Sequence, residues 1–397
     1  MSERSANDVQ HGLRIILNVD AITSPLTGIG RYALQLACGL QRHPDVSDIR
    51  FYAAYRWIDE PTQALTANQT IAALRKHTPY KVLALHLYNW VRSAIFRWHT
   101  RAFSDYLLHT PNYVLIPFQG PAVTTIHDLS FIHYPQYHPR ERVAFLEKQL
   151  PRTLNQAAAI ITDSEFVRRE VRDILGVPAH KITAIPLGVD SGFRPHSLDE
   201  LVPALKRYSL VAGRYLLAVA TLEPRKNLAR LVEAYCALPD HLQQRYPLVF
   251  AGARGWLSEA LEKQVATLEQ RGRVRYLGYV VQQDLPSLYA GARGFAFPSL
   301  YEGFGLPVIE AMASGVPVLT SNCSSLLEVA GNAALTVDPE DVDAIRFGLE
   351  IILEDEGRRN PLVTAGLIQS GNFSWENCIQ RTVELYQRVL TSHNGKS

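Results

Sequence analysis

The segment Gly294-Phe-Ala-Phe-Pro-Ser-Leu-Tyr-Glu302-Gly-Phe-Gly305-Leu-Pro-Val-Ile-Glu310-Ala-Met-Ala-Ser-Gly-Val-Pro317-Val-Leu-Thr320 has the pattern of a strand, a turn, a short helix and a second strand. Gly303 and Gly305 allow the backbone of the turn to approach a ligand closely. Pro307 suits the first position of a helix and Gly315 suits its end, so the spacing predicts a helix over residues 307–314. The segment therefore predicts a strand–helix–strand unit whose helix begins beside the end of a strand.

The same alternation of apolar runs and helical patterns extends in both directions from this unit. It begins with Leu13–Val19 and restarts with Tyr215–Ala220. The runs that predict buried strands are Leu13–Val19, Ala122–Ile126, Ala159–Thr162, Lys181–Ile185, Tyr215–Ala220, Leu248–Ala251, Val274–Leu277, Gly294–Phe297 and Pro317–Thr320. Repeated strand–helix units indicate an α/β fold. We expect two Rossmann-like, doubly wound parallel-sheet domains that face an interdomain cleft, where ligands bind at the carboxyl ends of the strands.

Turn-forming residues between about 190 and 212 mark the boundary between the two halves. We expect an N-terminal domain over residues 1–195 and a C-terminal domain over residues 196–374. The last segment, 375–397, is expected to form a helix that packs back on the N-terminal domain.

Composition excludes several classes of protein. The chain has 397 residues, of which 47% are hydrophobic and 20% charged, and its formal net charge is only +2. This balance argues against a dedicated nucleic-acid-binding protein. The four cysteines form no CxxC pair, the first residues lack an apolar signal-peptide core, and no apolar run reaches the roughly 18 residues of a membrane span. We expect a cytoplasmic protein without disulfides or transmembrane helices.

A basic stretch over residues 75–101 departs from this even balance, because no acidic residue occurs between Glu60 and Asp105. Apolar residues recur in it at three- or four-residue spacing, as on one face of a helix. Its basic and tryptophan residues are Arg75, Lys76, Lys81, Trp90, Arg92, Arg97, Trp98 and Arg101. Two interpretations stay open: a helix that lies on an anionic membrane surface, or a core-facing helix with a solvated basic side.

Two carboxylates frame the start of the predicted helix at 307–314. The free amides and positive dipole of a helix N-terminus suit a diphosphate, and a carboxylate in the first turns can accept hydrogen bonds from a ribose diol. Glu302 lies in the turn and Glu310 lies within the helix. The segment thus has the groups expected of a nucleotide diphosphate site.

Several motifs together resemble one enzyme family. The motifs are Glu302-x7-Glu310, Thr221-Leu-Glu-Pro-Arg-Lys-Asn227, Gly278-Tyr-Val280, Phe297-Pro-Ser299, Val337-Asp-Pro339, Thr27-Gly-Ile-Gly-Arg-Tyr32, His127-Asp128 and Gly188-Val-Asp190. In this combination the chain resembles the retaining glycosyltransferases of family 4, which have the GT-B fold. The pattern is most similar to bacterial mannosyl- and rhamnosyl-type transferases of lipopolysaccharide O-chain synthesis.

The resemblance implies that residues 1–195 form the acceptor-side domain and residues 196–374 the nucleotide-sugar donor-binding domain, and it implies roles for individual residues. Glu302 would contact hydroxyls of the donor sugar, and Glu310 would bind the ribose. Arg225 and Lys226 would grip the diphosphate; many members carry an arginine at the position of Thr221, so Arg225 is the candidate to replace it. His127, directly after a predicted strand, would reach the donor sugar, with Asp128 beside it on the acceptor side. The donor would also contact Gly28, Gly30, Gly303, Phe304, Gly305 and Leu306.

The resemblance also implies the reaction. A hexose, either mannose or a 6-deoxyhexose such as rhamnose, would pass with retention from a nucleotide diphosphate donor, a GDP-sugar, to a growing, lipid-linked polysaccharide. Protein cations would replace a metal, so no metal or other cofactor is expected. Asp341-Val-Asp343 matches the DxD motif of metal-dependent transferases, but its position at the start of a predicted helix favours a capping role. Any membrane contact would be peripheral, on the inner leaflet.

Other functions remain open at this stage. Gly28-x-Gly30-x-x-Ala33 matches a dinucleotide fingerprint and would make the chain an NAD-dependent oxidoreductase. However, Asp20–Thr27 separate this turn from its strand, and no acidic residue at the end of a second strand is placed to bind a ribose. The resemblance instead makes the turn a flexible backbone clamp over the donor phosphates. A sugar-nucleotide epimerase and a non-catalytic nucleotide-binding module are further alternatives.

Overall fold

A computed structural model describes residues 12–66, 93–253, 255 and 259–395. The strands are β1 (Leu13–Asn18), β2 (Val46–Ala53), β3 (Arg56–Ile58), β4 (Leu107–Thr110), β5 (Ala122–Ile126), β6 (Ala159–Thr162), β7 (Ile182–Ala184), β8 (Leu216–Val219), β9 (Leu248–Ala251), β10 (Val274–Tyr276), β11 (Gly294–Phe297), β12 (Val318–Ser321) and β13 (Leu335–Val337). They form two separate sheets, and β5, β6, β9 and β11 have the bounds predicted from their apolar runs.

Helices lie between the strands of both sheets. They are α1 (Gly28–Arg42), α2 (Ser130–His133), α3 (Arg140–Gln156), α4 (Glu165–Asp173), α5 (Leu198–Arg207), α6 (Leu228–Cys236), α7 (Asp240–Arg245), α8 (Glu259–Gln270), α9 (Leu285–Ala290), α10 (Leu306–Ala313), α11 (Ser324–Ala330), α12 (Val342–Glu354), α13 (Glu356–Ser370) and α14 (Trp375–Asn394). Residues 93–100 are also helical, and residues 224–226 form one turn of 3-10 helix.

The two sheets share the order of six strands, but the first has a seventh strand and an antiparallel edge pair. The first has the order β3-β2-β1-β4-β5-β6-β7, and the second has the order β10-β9-β8-β11-β12-β13. All neighbouring strands are parallel except β2 and β3, which pair antiparallel. In each sheet the direction of strand progression reverses beside its first strand, at β1/β4 and at β8/β11. Such reversal points open a crevice at the carboxyl ends of the strands, where ligands of doubly wound folds bind.

The first helix begins earlier than the sequence predicted. Gly28-Ile-Gly30 was expected to be a turn, but α1 starts at Gly28 because Thr27 acts as its N-cap: the Thr27 hydroxyl accepts a hydrogen bond from the Gly30 amide at 3.2 Å. The expectation of a turn is therefore wrong. A Cβ at position 30 would lie 2.9 Å from the carbonyl oxygen of Ala21, so close packing requires glycine there.

The chain crosses between the two domains twice, and the two crossings lie side by side. Val189 pairs in a parallel bridge with Ser374, and its amide donates to the Phe373 carbonyl at 3.2 Å. A Cβ at Gly188 would lie 2.1 Å from the Trp375 amide nitrogen, so only glycine fits beside the second crossing. After it, α14 packs on α1, where a Cβ at Gly39 would meet Ile379 at 1.9 Å.

No helix among the described residues is both long and apolar enough to cross a membrane. Most of the basic stretch 75–101 lies outside those residues. In the described part, Phe96 is buried against Tyr52, whereas Trp98 is 62% exposed with the Arg101 guanidinium 5.8 Å from its ring centroid.

Candidate active site

The predicted site residues of the N-terminal domain follow β5 directly, at the carboxyl edge of the first sheet. His127 is buried, and both of its ring nitrogens are bonded: Nδ1 pairs with Asp163 at 2.7 Å, and Nε2 lies 3.0 Å from the Pro111 carbonyl oxygen. Burial lowers the pKa of His127, but the Asp163 charge and these bonds outweigh it, so the net pKa is raised. A protonated ring can donate from both nitrogens, which leaves none free for a sugar.

A second buried histidine lies close to the first. His109 Nε2 lies 2.9 Å from the Thr125 hydroxyl, and its Nδ1 lies 2.6 Å from the hydroxyl of Tyr386 on α14. Burial, followed by the neighbouring charge of His127, lowers the pKa of His109 to about 3. His109 is therefore neutral, and it ties the last helix of the chain to the edge of the first sheet. Sequence analysis did not single it out.

Asp128 lies next to His127 and is held as a carboxylate. Its Oδ1 accepts hydrogen bonds from the Tyr113 hydroxyl at 2.8 Å and from the amide and hydroxyl of Ser130 at 3.0 and 2.8 Å. Burial raises the pKa of Asp128, but the charge of Arg225, together with these bonds, lowers it overall to about 2. Because Arg225 belongs to the other domain, this charge pairing acts across the cleft.

Glu302, Arg225 and Lys226 form a buried ionic cluster at the edge of the second sheet. Glu302 accepts from Lys226 Nζ at 2.6 Å and from Arg225 Nη1 at 3.2 Å, and Arg225 also donates to Glu223 at 2.8 Å. Burial raises the pKa of Glu302, but the charges of Lys226 and Arg225 lower it overall. The structure thus brings together three residues that sequence analysis placed in one site, and it adds Glu223.

Glu310 lies in the middle of α10 and is only 3% exposed. Its carboxylate forms an ion pair with Arg31 of α1, in the opposite domain, and Arg31 also donates to Gln282 at 3.0 Å. Burial raises the pKa of Glu310, and the Arg31 charge offsets only part of this effect. Sequence analysis named Arg31 only as part of a motif, since nothing in the sequence indicates that the two helices meet.

The glycine-containing turn after β11 is pressed against the first domain. A Cβ at Gly303 would lie 1.8 Å from the His127 carbonyl oxygen, and the Gly303 carbonyl accepts from the Ser164 hydroxyl at 2.8 Å. Gly305 precedes α10 with φ of +112°, a conformation that favours glycine. Phe304 is buried against Phe373, with ring centroids 5.6 Å apart, so its side chain packs in the core.

The starts of α1 and α10 approach each other in the cleft. A Cβ placed on Gly28 would lie 4.0 Å from Leu306, the first residue of α10. Gly30, one residue further from the helix start, instead faces Ala21 within its own domain. The structure therefore brings Gly28, Leu306 and Glu310 to the cleft, and it places Gly30 and Phe304 in packing positions.

Two further residues that sequence analysis did not single out join the domains. Tyr301, next to Glu302, accepts from the Leu129 amide at 3.0 Å and donates to Glu170 of α4. Glu328 of α11 accepts from the amides of Glu165 and Phe166, each at 2.9 Å, at the N-terminus of α4. Carboxylates are favoured at such helix ends, so this contact stabilises the closed arrangement.

The DxD-like pair is bonded within its own helix. The Asp341 side chain accepts from the Ala344 amide at 2.9 Å as the N-cap of α12, and Asp343 pairs with Arg346 at 3.4 Å. Among the described residues, no three His, Cys, Asp or Glu side chains are grouped so that they would hold a metal ion.

Comparison with known proteins identifies the class of enzyme. The family model of glycosyl transferases group 1 matches residues 210–367, and that of Glycosyltransferase Family 4 matches residues 26–193. O-antigen chain mannosyltransferase B of Escherichia coli is 40% identical over 383 residues, which cover 94% of this chain and 100% of that protein. The chain belongs to glycosyltransferase family 4 and is a glycosyltransferase.

Solved structures confirm the expected GT-B fold. Sucrose-phosphate synthase from Thermosynechococcus elongatus superposes with a TM-score of 0.72 at 22% identity, covering 96% of this chain and all of that one. WaaG, a glycosyltransferase involved in lipopolysaccharide biosynthesis, superposes with a TM-score of 0.71 at 14% identity, covering 94% of this chain and 99% of that one. Family membership argues against an NAD-dependent oxidoreductase, and the helical position of Gly28 and Gly30 removes the turn on which that alternative depended.

Proposed function

We propose that the protein is a retaining, metal-independent mannosyltransferase that moves mannose from GDP-mannose to a growing, lipid-linked O-polysaccharide. The full-length similarity to an O-antigen chain mannosyltransferase supports mannose over a 6-deoxyhexose. The resemblance of the donor-site motifs supports a nucleotide diphosphate as the carrier. GDP is our choice of carrier because the family resemblance implies a GDP-sugar donor.

One observation carries the proposal: a buried arginine and a partly buried lysine lie side by side in the cleft, with a carboxylate as their internal partner. Arg225 and Lys226 share Glu302, and Arg225 Nε has no hydrogen-bond partner among the described residues. Transfer from a nucleotide sugar leaves a diphosphate, whose growing charge is stabilised by fixed cations in a site that excludes water. We assign these two residues to the diphosphate and Glu302 to the hydroxyls of the donor sugar.

The state of the nearby carboxylates favours same-face attack over a covalent intermediate. Asp128 accepts three hydrogen bonds and Glu302 pairs with two cations, so neither is a free nucleophile. In the proposed step, the bond between C1 of mannose and the β-phosphate oxygen breaks, and a bond forms from the acceptor oxygen to C1 on the same face. The acceptor proton passes to the leaving phosphate oxygen, which gives GDP and the extended saccharide.

His127 acts in this proposal through its position. With both nitrogens bonded to Asp163 and Pro111, the ring fixes the backbone at the end of β5, where the His127 carbonyl meets Gly303 of the other domain. We propose that this contact orients the sugar when the domains close. The role differs from direct ring contact with the sugar, which the resemblance implied.

The test is a transfer assay with purified protein and a lipid-linked oligomannose acceptor. GDP-mannose, dTDP-rhamnose and UDP-glucose are compared as donors, with and without EDTA, and the anomeric configuration of the product is read by NMR. We expect an α-linked mannose from the α-configured GDP donor, unaffected by EDTA. A β-linked product would contradict retention, and activity lost with EDTA and restored by Mg²⁺ would contradict metal independence. A changed donor without an acceptor product would favour an epimerase.

Matched variants localise the donor site. Glu310→Gln should weaken GDP binding, because its carboxylate is assigned to the ribose, whereas Glu340→Gln should not. Glu340 is the control because its side chain is 73% exposed and its contact with Arg230 is 4.0 Å long. Equal GDP affinity in both variants and the wild type, measured by calorimetry, would contradict the assignment.

Membrane contact through the stretch 75–101 remains part of the proposal. Its described part carries the exposed Trp98 with Arg101 beside it, a combination that suits an anionic interface. Sedimentation with anionic vesicles at low salt should pull down the wild type more than a Trp98→Ser variant, and equal recovery of both would contradict a role for this residue.

A further inference from the structure

The ion pair between Arg31 and Glu310 occupies the position that the proposed function gives to the donor ribose. Arg31 lies on α1 of the N-terminal domain and Glu310 on α10 of the C-terminal domain. The Glu310 side chain is 3% exposed and that of Arg31 is 13% exposed, so the pair is shielded from water. A ribose diol needs oxygen atoms of the same carboxylate that now accepts from Arg31.

The bonds of Arg31 leave part of its hydrogen-bonding capacity unused. One terminal nitrogen reaches Glu310 and the other reaches the neutral Gln282 at 3.0 Å, while Nε is buried and has no hydrogen-bond partner among the described residues. Asp190 contributes a second nearby negative charge. A guanidinium has five N–H donors, so this side chain retains capacity to bind an anion.

The geometry of the two helices places this spare capacity beside the expected diphosphate position. Helix α1 starts at Gly28 and α10 starts at Leu306, and these two residues face each other across the cleft. Arg31 and Glu310 each follow within about 4.5–6 Å along their own helices, at 1.5 Å per residue. A nucleotide whose ribose lies at Glu310 and whose diphosphate lies at the start of α10 would therefore pass Arg31.

Electrostatics then dictates what must accompany ribose binding. If the ribose displaced Arg31 and nothing replaced Glu310 as its partner, the largely buried guanidinium would lose its ion pair and keep only the weaker influence of Asp190, which is unfavourable. The diphosphate brings the required negative charge into the same region, and guanidinium groups bind phosphate oxygens in two-pronged hydrogen bonds. Nucleotide binding can thus give Arg31 a new anionic partner, while the ribose hydroxyls donate hydrogen bonds to the Glu310 carboxylate.

We propose that Arg31 is a donor-binding residue that changes partners. In the free enzyme it forms an ion pair with Glu310. When the donor binds, Arg31 pairs with the diphosphate and the ribose hydroxyls donate hydrogen bonds to Glu310. This inference rests on the proposed function, because it assumes a nucleotide diphosphate donor. Arg31 then competes with the ribose for Glu310 in the free enzyme, and it binds the diphosphate in the complex. A nucleotide without the second phosphate would break the pair with less compensation.

The test compares the affinities of GMP and GDP for the wild type, Arg31→Gln and Arg31→Lys by calorimetry. In Arg31→Gln, Glu310 is free of its competitor but the diphosphate lacks its partner. We expect GMP to bind at least as tightly as to the wild type and GDP to bind more weakly, so that the GDP preference falls by about tenfold, a value typical of a lost charged hydrogen bond. Arg31→Lys should keep part of the preference.

Two controls separate this mechanism from a structural role of Arg31 and from failure of the proposed function. Gln282→Ala removes the neutral partner of Arg31 but keeps both charges, so it should preserve the GDP preference. If Arg31→Gln weakens GMP and GDP by the same factor, the residue only supports the fold and the exchange mechanism is wrong, while the donor assignment stands. If the wild type binds neither GDP nor UDP, the donor proposal and this inference both fail.

Discussion

The two halves of the molecule share one strand order but offer opposite chemistry at the cleft. The edge of the first sheet carries His127 and His109, whose bonds are satisfied by Asp163, Pro111 and Thr125 of that domain and by Tyr386 of α14. The edge of the second sheet instead concentrates Arg225, Lys226 and Glu302 in one ionic cluster. The edge of the first sheet is thus a hydrogen-bonded network with satisfied partners, whereas the edge of the second sheet carries charges that can form new pairs with a ligand.

The ionic cluster should give the largest effect when it is broken. Arg225→Met leaves Glu302, Glu223 and Asp128 without their shared cation, and we expect the free energy of unfolding to fall by about 3–5 kcal/mol. Urea titration measures this. Arg194→Met is the control, because Arg194 pairs with Glu200 at the surface, where ion pairs contribute little, and it should leave stability nearly unchanged. Equal losses would show that the cluster has no special importance.

The contact between the two edges should come next. Gly303→Ala puts a Cβ against the His127 carbonyl, where only 1.8 Å is available, so the closed cleft cannot form. We expect kcat/KM for transfer to fall by about 100-fold, the scale of a misplaced reacting group, while the melting temperature changes little. Gly192→Ala is the matched control, since its Cβ would meet Pro286 at an ordinary 3.6 Å. Wild-type activity in Gly303→Ala would mean that catalysis does not need this closure.

The hydrogen-bonded network around His127 predicts that the stability of the fold depends on pH. His127 has a raised pKa in the folded state, so its pairing with Asp163 stabilises the fold below the unfolded histidine pKa and loses this effect as pH rises through the folded pKa. Asp163→Asn should therefore cost about 1.5–3 kcal/mol at pH 6 and clearly less at pH 9. Urea titrations at the two pH values measure this. A cost that does not change with pH would contradict a protonated His127.

The smallest effect is expected at the rim of the contact. Glu328→Gln removes the negative charge that accepts hydrogen bonds from the amides of Glu165 and Phe166 at the start of α4. We expect the free energy of unfolding to fall by about 0.3–1 kcal/mol. We expect the KM for donor to rise by less than about fivefold, and the difference from the wild type to disappear in high salt, because exposed charges are screened. A larger change that persists in high salt would show that this rim contact governs closure.

Local sequence signals predicted the sheets well where the strands are buried on both faces. Continuous apolar runs gave β5, β6, β9 and β11 their correct bounds. Strands β2, β3, β4 and β13 were not assigned. β3 and β13 have only three residues each, and the polar His109 and Thr110 shorten the apolar run of β4. β2 is half-exposed or exposed in its first five residues, so its pattern is less distinct. The start of α1 was misplaced because two glycines outweighed the capping hydroxyl of Thr27.

For the candidate site, too, local sequence signals indicated single residues but not their partners in distant elements. His127, directly after β5, and Glu302, in the turn after β11, were named from their place in the sequence and from the family resemblance. Their partners in other elements were not, since Asp163, Arg31 and Tyr301 acquire their roles only when separate elements or domains come together. Nothing in the local sequence around Arg31 indicates a carboxylate that lies 279 positions further along the chain.

The return of α14 to the N-terminal domain has a consequence for biosynthesis. One face of α1 and the buried His109 are covered by Ile379 and Tyr386, which a ribosome makes only after the whole second domain. During translation, the face of α1 and His109 that α14 later covers therefore stays exposed until the second domain has been made. Completion of the two halves becomes a single late event, so nascent chains arrested before residue 375 should be the preferred clients of chaperones and proteases.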